Sequence, residues 1–213
     1  MTAILVELAG RAPVAGHRPW PRHVVDAATW TAVARALGEG GADLLSLWAH
    51  EDQVHLALRA GAHPTPLVVS VGVNNGTYPC VGRHHPAALR FERAIRDLHG
   101  IEPAELPDAR PWLDHGAWGW RAPLGARAAS AIRDPADYVF LPVRGEGLHE
   151  IPVGPVHAGI IEPGHFRFTA NGEIVARLEA RLGYTHKGID GLLADCELDK
   201  AARVVARVSG DST

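Results

Sequence analysis

Apolar residues Val25, Ala28, Val33, Ala36 and Leu37 recur at roughly helical spacing, which predicts a helix over residues 24–37 that stops at Gly38. The period then changes. Residues 44–49 and 54–58 are short apolar-alternating runs around Glu51-Asp52-Gln53 and read as a hairpin, and PLVVSVGV after them reads as a buried strand. The opening run MTAILVELAG, interrupted by Glu7, reads as a further strand. Pro86 suits a first helical turn, because its missing N–H would be unpaired there. From it a helix is expected with Phe91, Ala94, Ile95 and Leu98 on one apolar face and Gly100 at its end. The other face carries Glu92 and Arg96 in the favourable i, i+4 order, expected to stand in solvent and to contribute about a few tenths of a kcal/mol.

Between residues 103 and 147 neither period persists. This Pro/Gly/Arg-rich stretch holds Trp112, Trp118 and Trp120, so it is expected to be an ordered, tryptophan-anchored connector rather than a loose linker. Beyond it, Asn171-Gly172 lies between HFRFTA and EIVARLEARL, a strong hairpin signal, although the second arm is also rich in helix formers. The turn chemistry favours two strands. Leu192, Leu193, Cys196, Ala201, Val204, Val205 and Val208 then outline a helix over residues 189–208, with Cys196 expected as a small buried hydrophobe on its apolar face. No internal repeat or low-complexity tract occurs. The resulting expectation is an α+β fold. Residues 1–102 form a helix-flanked, mostly antiparallel sheet domain, residues 103–147 the connector, and residues 148–213 the hairpin-plus-helix start of a second domain.

Composition narrows the possible functions. The 213 residues are 46% hydrophobic, enough for a core, and 21 Lys plus Arg against 24 Asp plus Glu leave a formal charge of −3. No basic excess is available for a nucleic acid backbone. Apolar runs such as residues 67–71 fall far short of the roughly 20 residues that span a bilayer, and the front of the chain lacks a basic n-region. A soluble cytoplasmic chain is therefore expected. Cys80 and Cys196 are the only cysteines, so no disulfide is expected, and an iron–sulfur or nickel–iron centre, which takes about four protein thiolates, could not be held by this chain alone. His84 and His85 with His63 or Cys80 could be drawn as a zinc site. No HxH or HExxH pair supports it, so no metal is expected.

Two stretches resemble known subunits. YPCVGRHHPAALRFERAIRDLHGIEP with PDARPWL after it is similar to the 30 kDa subunit of respiratory NADH:quinone oxidoreductase (complex I), through Phe91-Glu92-Arg93, Asp97-Leu98, Gly100-Ile101 and Pro107-Asp108. IPVGPVHAGIIEPGHFRF, then Gly172-Glu173, then RLGYTHKGID resembles the start of the 49 kDa subunit of the same complex and of the related large subunit of membrane-bound [NiFe]-hydrogenases. Their order in one chain is similar to the fused large subunits of formate-hydrogenlyase-type and hydrogenase-4-type complexes, which continue well past the length seen here. The resemblance therefore makes this chain look like the front piece of such a subunit.

That resemblance implies roles residue by residue. His165 matches a His that lies near the quinone headgroup in complex I relatives, Glu162 approximates a proton-transfer Glu of hydrogenase relatives although Pro163 intervenes, and His157 matches the His of a GPxH motif. Arg207 falls on an Arg that could pair a carboxylate near the site; Lys187 and His186, in GYTHKG, could mark a charged pocket wall. The bland readings are a hairpin His bonding local backbone, an exposed turn carboxylate, a loop that caps the next helix and a solvated helix-end cation. Ser209 and Ser212 stand where hydrogenases carry a Cys-x-x-Cys pair, and a neutral hydroxyl is a poor substitute for a thiolate on nickel. Gly210 stands where complex I relatives have a quinone-contacting Tyr. Glu92, Arg93 and Asp97, on the polar helix face, are expected to form a docking surface.

The expectation that follows is a subunit of a membrane-associated electron-transfer oxidoreductase, not active alone, lacking the Ni–Fe thiolates and shaping a quinone-like acceptor pocket. The chain itself is expected to bind no cofactor. Its partners would be iron–sulfur sister subunits and membrane subunits, with quinone or NADH used by the assembly and the chain held at the inner face of the membrane. A non-catalytic scaffold or assembly module is the alternative.

Overall fold

The computed structural model describes residues 3–60, 65–126, 128–134, 137–185, 187–193 and 196–208. The chain divides into two compact units, Met1–Asp134 and Pro135–Thr213. Helix and sheet are mixed in both.

In the first unit the opening run is a helix, α1 (Ala3–Gly10), and not the expected strand. A continuous apolar run carries no decisive period; what settles it is that Leu5 and Leu8, one turn apart, are both buried in the core shared with the next helix. The helix expected from residue 24 starts later, because β1 (Arg22–Val25) comes first and Asp26 then caps α2 (Ala27–Gly38), its Oδ1 accepting the Thr29 N–H at 2.7 Å. β2 (Asp43–His50) and β3 (Gln53–Arg59) form the expected hairpin, and β4 (Leu67–Gly72) is the buried strand after it. The sheet order is β1-β4-β3-β2. β1 lies parallel to β4, while β3 runs antiparallel to both of its neighbours. Trp30, Val33 and Leu37 of α2 pack on Leu56 and Val69 at its centre.

β5 (Thr77–Pro79) pairs in parallel with β6 (Glu102–Ala104), and between them a 3₁₀ turn at Pro86–Ala88 leads into α3 (Leu89–His99). Gly100 closes α3 with φ +70°. The helix lies where its pattern placed it but is rolled on its axis: Ile95 is buried, Phe91 is exposed, and Glu92 and Arg93 of the supposed solvent face are buried instead. The Glu92–Arg96 pair does not form, since Arg96 Nε reaches Glu102 at 2.9 Å. The stretch expected as a connector folds onto this unit through Asp134 and includes the short ladder of β7 (Trp120–Arg121) and β8 (Ala128–Ala129).

In the second unit a three-stranded antiparallel sheet has the order β11-β10-β9, built from β9 (Leu148–Val153), β10 (His165–Asn171) and β11 (Ile174–Arg181). The Asn-Gly hairpin forms, with Asn171 paired to Ile174 and Gly172 at φ +58°. Turn geometry thereby overrides the helix propensity of its second arm. β9 was not expected; its outward residues are exposed and its sequence lacks alternation. The last helix is two, α4 (Ile189–Leu193) and α5 (Leu198–Val205), and half-buried Cys196 falls between them rather than on an apolar helix face. No residue of α5 is buried. No helix among the described residues is long and apolar enough to cross a membrane.

Candidate functional site

Two groups of residues stand out, one in each unit. In the first, Glu92 projects from α3 into the turn after β5 and is 0% exposed. Its Oε1 accepts the Val81 N–H at 2.7 Å and the Tyr78 hydroxyl at 3.3 Å; its Oε2 accepts the Gly82 N–H at 2.9 Å and the Cys80 thiol at 3.1 Å. Four donors and no acceptor surround it. Burial raises its pKa, and the hydrogen bonds oppose that rise. The same enclosure, with the carboxylate beside it, pushes the Cys80 thiol up to about 12, so the sulfur stays protonated and donates. Glycine is required at position 82, where a Cβ would lie 2.6 Å from Glu92 Oε2.

Arg93 and Asp97 turn to the other flank of α3. Arg93 donates from Nε to the Arg110 carbonyl and from a terminal nitrogen to the Pro111 carbonyl, each at 2.7 Å, and lies 5.2 Å from the Trp112 ring centre. Asp97 Oδ2 accepts the N–H groups of Trp112, Leu113 and Asp114 at 2.8, 2.7 and 3.2 Å. Asp108, salt-bridged to Arg93 and Arg110, is held below the usual carboxylate range: burial raises it, and the Arg110 and Arg93 contacts more than offset that. Of the trio expected as a docking surface, Glu92 and Arg93 are therefore interior and Asp97 is half-buried. Their charges are used up on backbone groups of the turn before α3 and of residues 110–114, which have no strand or helix partner of their own. These bonds tie residues 110–114 to α3.

In the second unit the structure brings only some of the expected residues together. His157 donates from Nε2 to the Gly164 carbonyl at 2.8 Å, and its ring centre lies 5.9 Å from Phe166. His165, the residue after Gly164, opens β10 half-buried with its ring 5.1 Å from Phe140, and Arg167 stacks on that same ring with its guanidinium 4.2 Å from the Phe140 centre. The His165 Nε2 is buried with no hydrogen-bond partner among the described residues. Burial first, and the Arg167 charge second, lower its pKa, so the ring is neutral near pH 7.

Glu162 and Arg207 do not join these rings. Glu162 is exposed and ion-pairs with Lys187, which also donates to the Val208 carbonyl at 3.0 Å. Arg207 donates to the Arg203 carbonyl of its own helix at 3.0 Å. Ser209, Gly210, Ser212 and His186 lie outside the described residues, as does His63. Among the described residues no group of three or more His, Cys, Asp or Glu is placed to hold a metal ion. Phe140 and Arg167 are neighbours of His165 that sequence reasoning missed. Phe140 is 25 residues away with no motif around it, and no signal could have found it.

Residues 23–129 match the family described as respiratory-chain NADH dehydrogenase, 30 Kd subunit. The chain is 34% identical over 132 residues to formate hydrogenlyase subunit 5 of Escherichia coli (strain K12), a match that covers 58% of this chain and 23% of that protein. It is 32% identical over 161 residues to hydrogenase-4 component G of the same organism, covering 71% of this chain and 29% of that protein. Over 44 residues it is 41% identical to the carbon monoxide-induced hydrogenase of Rhodospirillum rubrum, covering 21% and 12% of the two. The chain thus spans under a third of the length of these relatives. Glu92, Arg93 and Asp97 lie inside the family match.

Proposed function

The chain belongs to the family of the 30 kDa subunit of respiratory-chain NADH dehydrogenase, and from that premise we propose that it is an assembly part of a membrane-associated, hydrogenase-type electron-transfer complex. In this reading it carries no redox centre. It is held near the membrane by iron–sulfur and membrane partner subunits, and it fits them through its second unit. One observation carries the reading: that unit leaves several large apolar side chains in solvent, with Val156 78%, Ile160 72% and Leu198 85% exposed. An exposed apolar patch of this kind marks a protein contact. The likeness to formate hydrogenlyase subunit 5 and hydrogenase-4 component G supports the kind of complex.

The test uses the full-length subunit in its host, tagged for affinity purification. Val156→Asp with Ile160→Asp is expected to strip the sister subunits from the purified assembly while the subunit itself stays folded. Recovery of a complete complex with that double variant sinks the reading.

A second reading rests on His165. A neutral imidazole with a buried, unpaired Nε2 can hydrogen-bond a carbonyl oxygen of a quinone-like acceptor, and His157, locked on Gly164, would hold the turn that presents it. Here His165→Ala is expected to leave the complex assembled but slow its electron transfer by about tenfold or more. Unchanged turnover in the assembled variant removes the acceptor role and leaves the assembly role standing.

A further inference from the structure

A cavity in the first unit takes no part in either group above. It lies where α1 crosses the end of the sheet at which β1 and β4 begin, and its volume is about 290 Å³. Its walls are apolar: Leu5 and Ala9 of α1, Pro13 and Pro21 of the intervening loop, and Pro66 and Leu67 at the start of β4. Ala60 and three polar residues complete the lining: Thr65 just before β4, His23 of β1 and Arg11 just past the end of α1.

His23 is 4% exposed, and its Nδ1 is buried with no hydrogen-bond partner among the described residues. Such an atom is uncommon in a folded protein, because its lost hydration goes uncompensated until something binds it. Arg11 lies close enough for its charge to act on His23, which burial first and Arg11 second hold in the neutral form. The described partner of Arg11 is Glu7, one turn back, and both side chains are about half exposed. A surface pair of this kind is weak and exchanges readily for a better-placed anion.

The chemistry of the lining selects the guest. An apolar body suits the walls, and one end meets the Arg11 guanidinium and the His23 ring, whose Nδ1 donates in the Nδ1–H tautomer; a carboxylate answers both with its two oxygens. The volume lies at the small end of ligand pockets, too small for a membrane lipid. We propose that this cavity binds a small amphiphilic carboxylate, a medium-chain or aromatic acid, whose head group accepts from His23 Nδ1–H and pairs with Arg11.

Calorimetric titration of the full chain near neutral pH with sodium octanoate tests this, with octan-1-ol as the uncharged probe and sodium acetate as the head group without a tail. Saturable one-to-one binding of octanoate is expected, with octanol and acetate each weaker by about tenfold or more. Arg11→Gln, at an exposed position, and His23→Phe are each expected to weaken octanoate by about tenfold, and Ala9→Trp, which fills the cavity, to abolish it. Arg11→Gln and Ala9→Trp keep the test open if His23→Phe does not fold. The proposal is overturned by absence of saturable octanoate binding, by octanol binding as tightly as octanoate, or by binding that Arg11→Gln and Ala9→Trp leave unchanged.

Discussion

Two amphipathic helices of this chain have been put to opposite uses. α3 buries part of its charged face, with Glu92 and Arg93 inside and Phe91 in solvent, whereas α5 buries nothing and leaves Leu198 and Val205 exposed. The difference lies in what surrounds them. Around α3 run backbone segments without strand or helix partners, the turn at Val81 and Gly82 and the loop at residues 110–114, and ionised side chains satisfy them. Against α5 packs only the short α4 among the pairs of elements in close contact, and Ala201 and Val204 are no more than half-buried. An amphipathic pattern therefore marks two faces but does not say which one packs.

The largest effect is expected at Glu92. Glu92→Ala leaves two backbone N–H groups, the Tyr78 hydroxyl and the Cys80 thiol without their acceptor, and at about 1–3 kcal/mol for each unpaired buried donor it should cost about 4 kcal/mol or more, read by chemical denaturation of the full chain followed by tryptophan fluorescence. A cost under about 1 kcal/mol would mean that those donors find water, and α3 would then resemble α5. Next comes a paired test of the two units. Leu56→Ala, at a fully buried site in β3, should cost about 3 kcal/mol, while Leu198→Ala on α5 should stay within about 0.5 kcal/mol. Equal losses would erase the contrast drawn here. Hydrogen exchange should agree, with β3 and β4 amides far better protected than those of α5.

Asp97→Asn retains the shape of the acceptor but removes its charge, and about 2 kcal/mol is expected to go with it. Proteolysis should then find residues 110–114 first, since the carboxylate is what holds them.

A smaller effect depends on pH. His55, buried with Nδ1 2.7 Å from the Ser70 hydroxyl, has its pKa lowered to about 4 by burial, helped by the Arg22 charge. The folded ring is neutral below the ordinary value of 6.5, where the unfolded ring takes up a proton. The unfolded state thus binds more protons in this window, so stability rises from about pH 4 to pH 6.5 and is lost on acidification. His55→Gln should flatten that part of the stability curve; an unchanged slope would assign it to other groups. Smallest of all is Lys187→Ala. Its pair with Glu162 is exposed at both ends, and a loss under about 0.5 kcal/mol is expected in the melt.

Much of the first unit was legible in the residue pattern. The β2–β3 hairpin, the buried β4, the Pro86 start and the Gly100 stop all follow from periods and from glycine and proline chemistry. α1 was not, because an unbroken apolar run fits either period until something packs on it. The docking trio was misplaced for a related reason: a charged helix face ordinarily means solvent, and only the loop folded over α3 makes it an interior. At the candidate site, His157 and His165 could be named from motif, but the turn they share and the Phe140 and Arg167 beside them come from segments that meet only in three dimensions.

By itself the sequence determined the mixed α and β character, the Asn-Gly turn of the second unit and the family, since these rest on local conformation and on residue identity in order along the chain. Tertiary structure decided the rest. It set the roll of α3, the fate of Glu92, Arg93 and Asp97, the parallel seat of β1 on β4, and the cavity under α1. Each of these depends on which backbone groups lack partners and which surfaces meet, and both are properties of the packed chain rather than of any one segment.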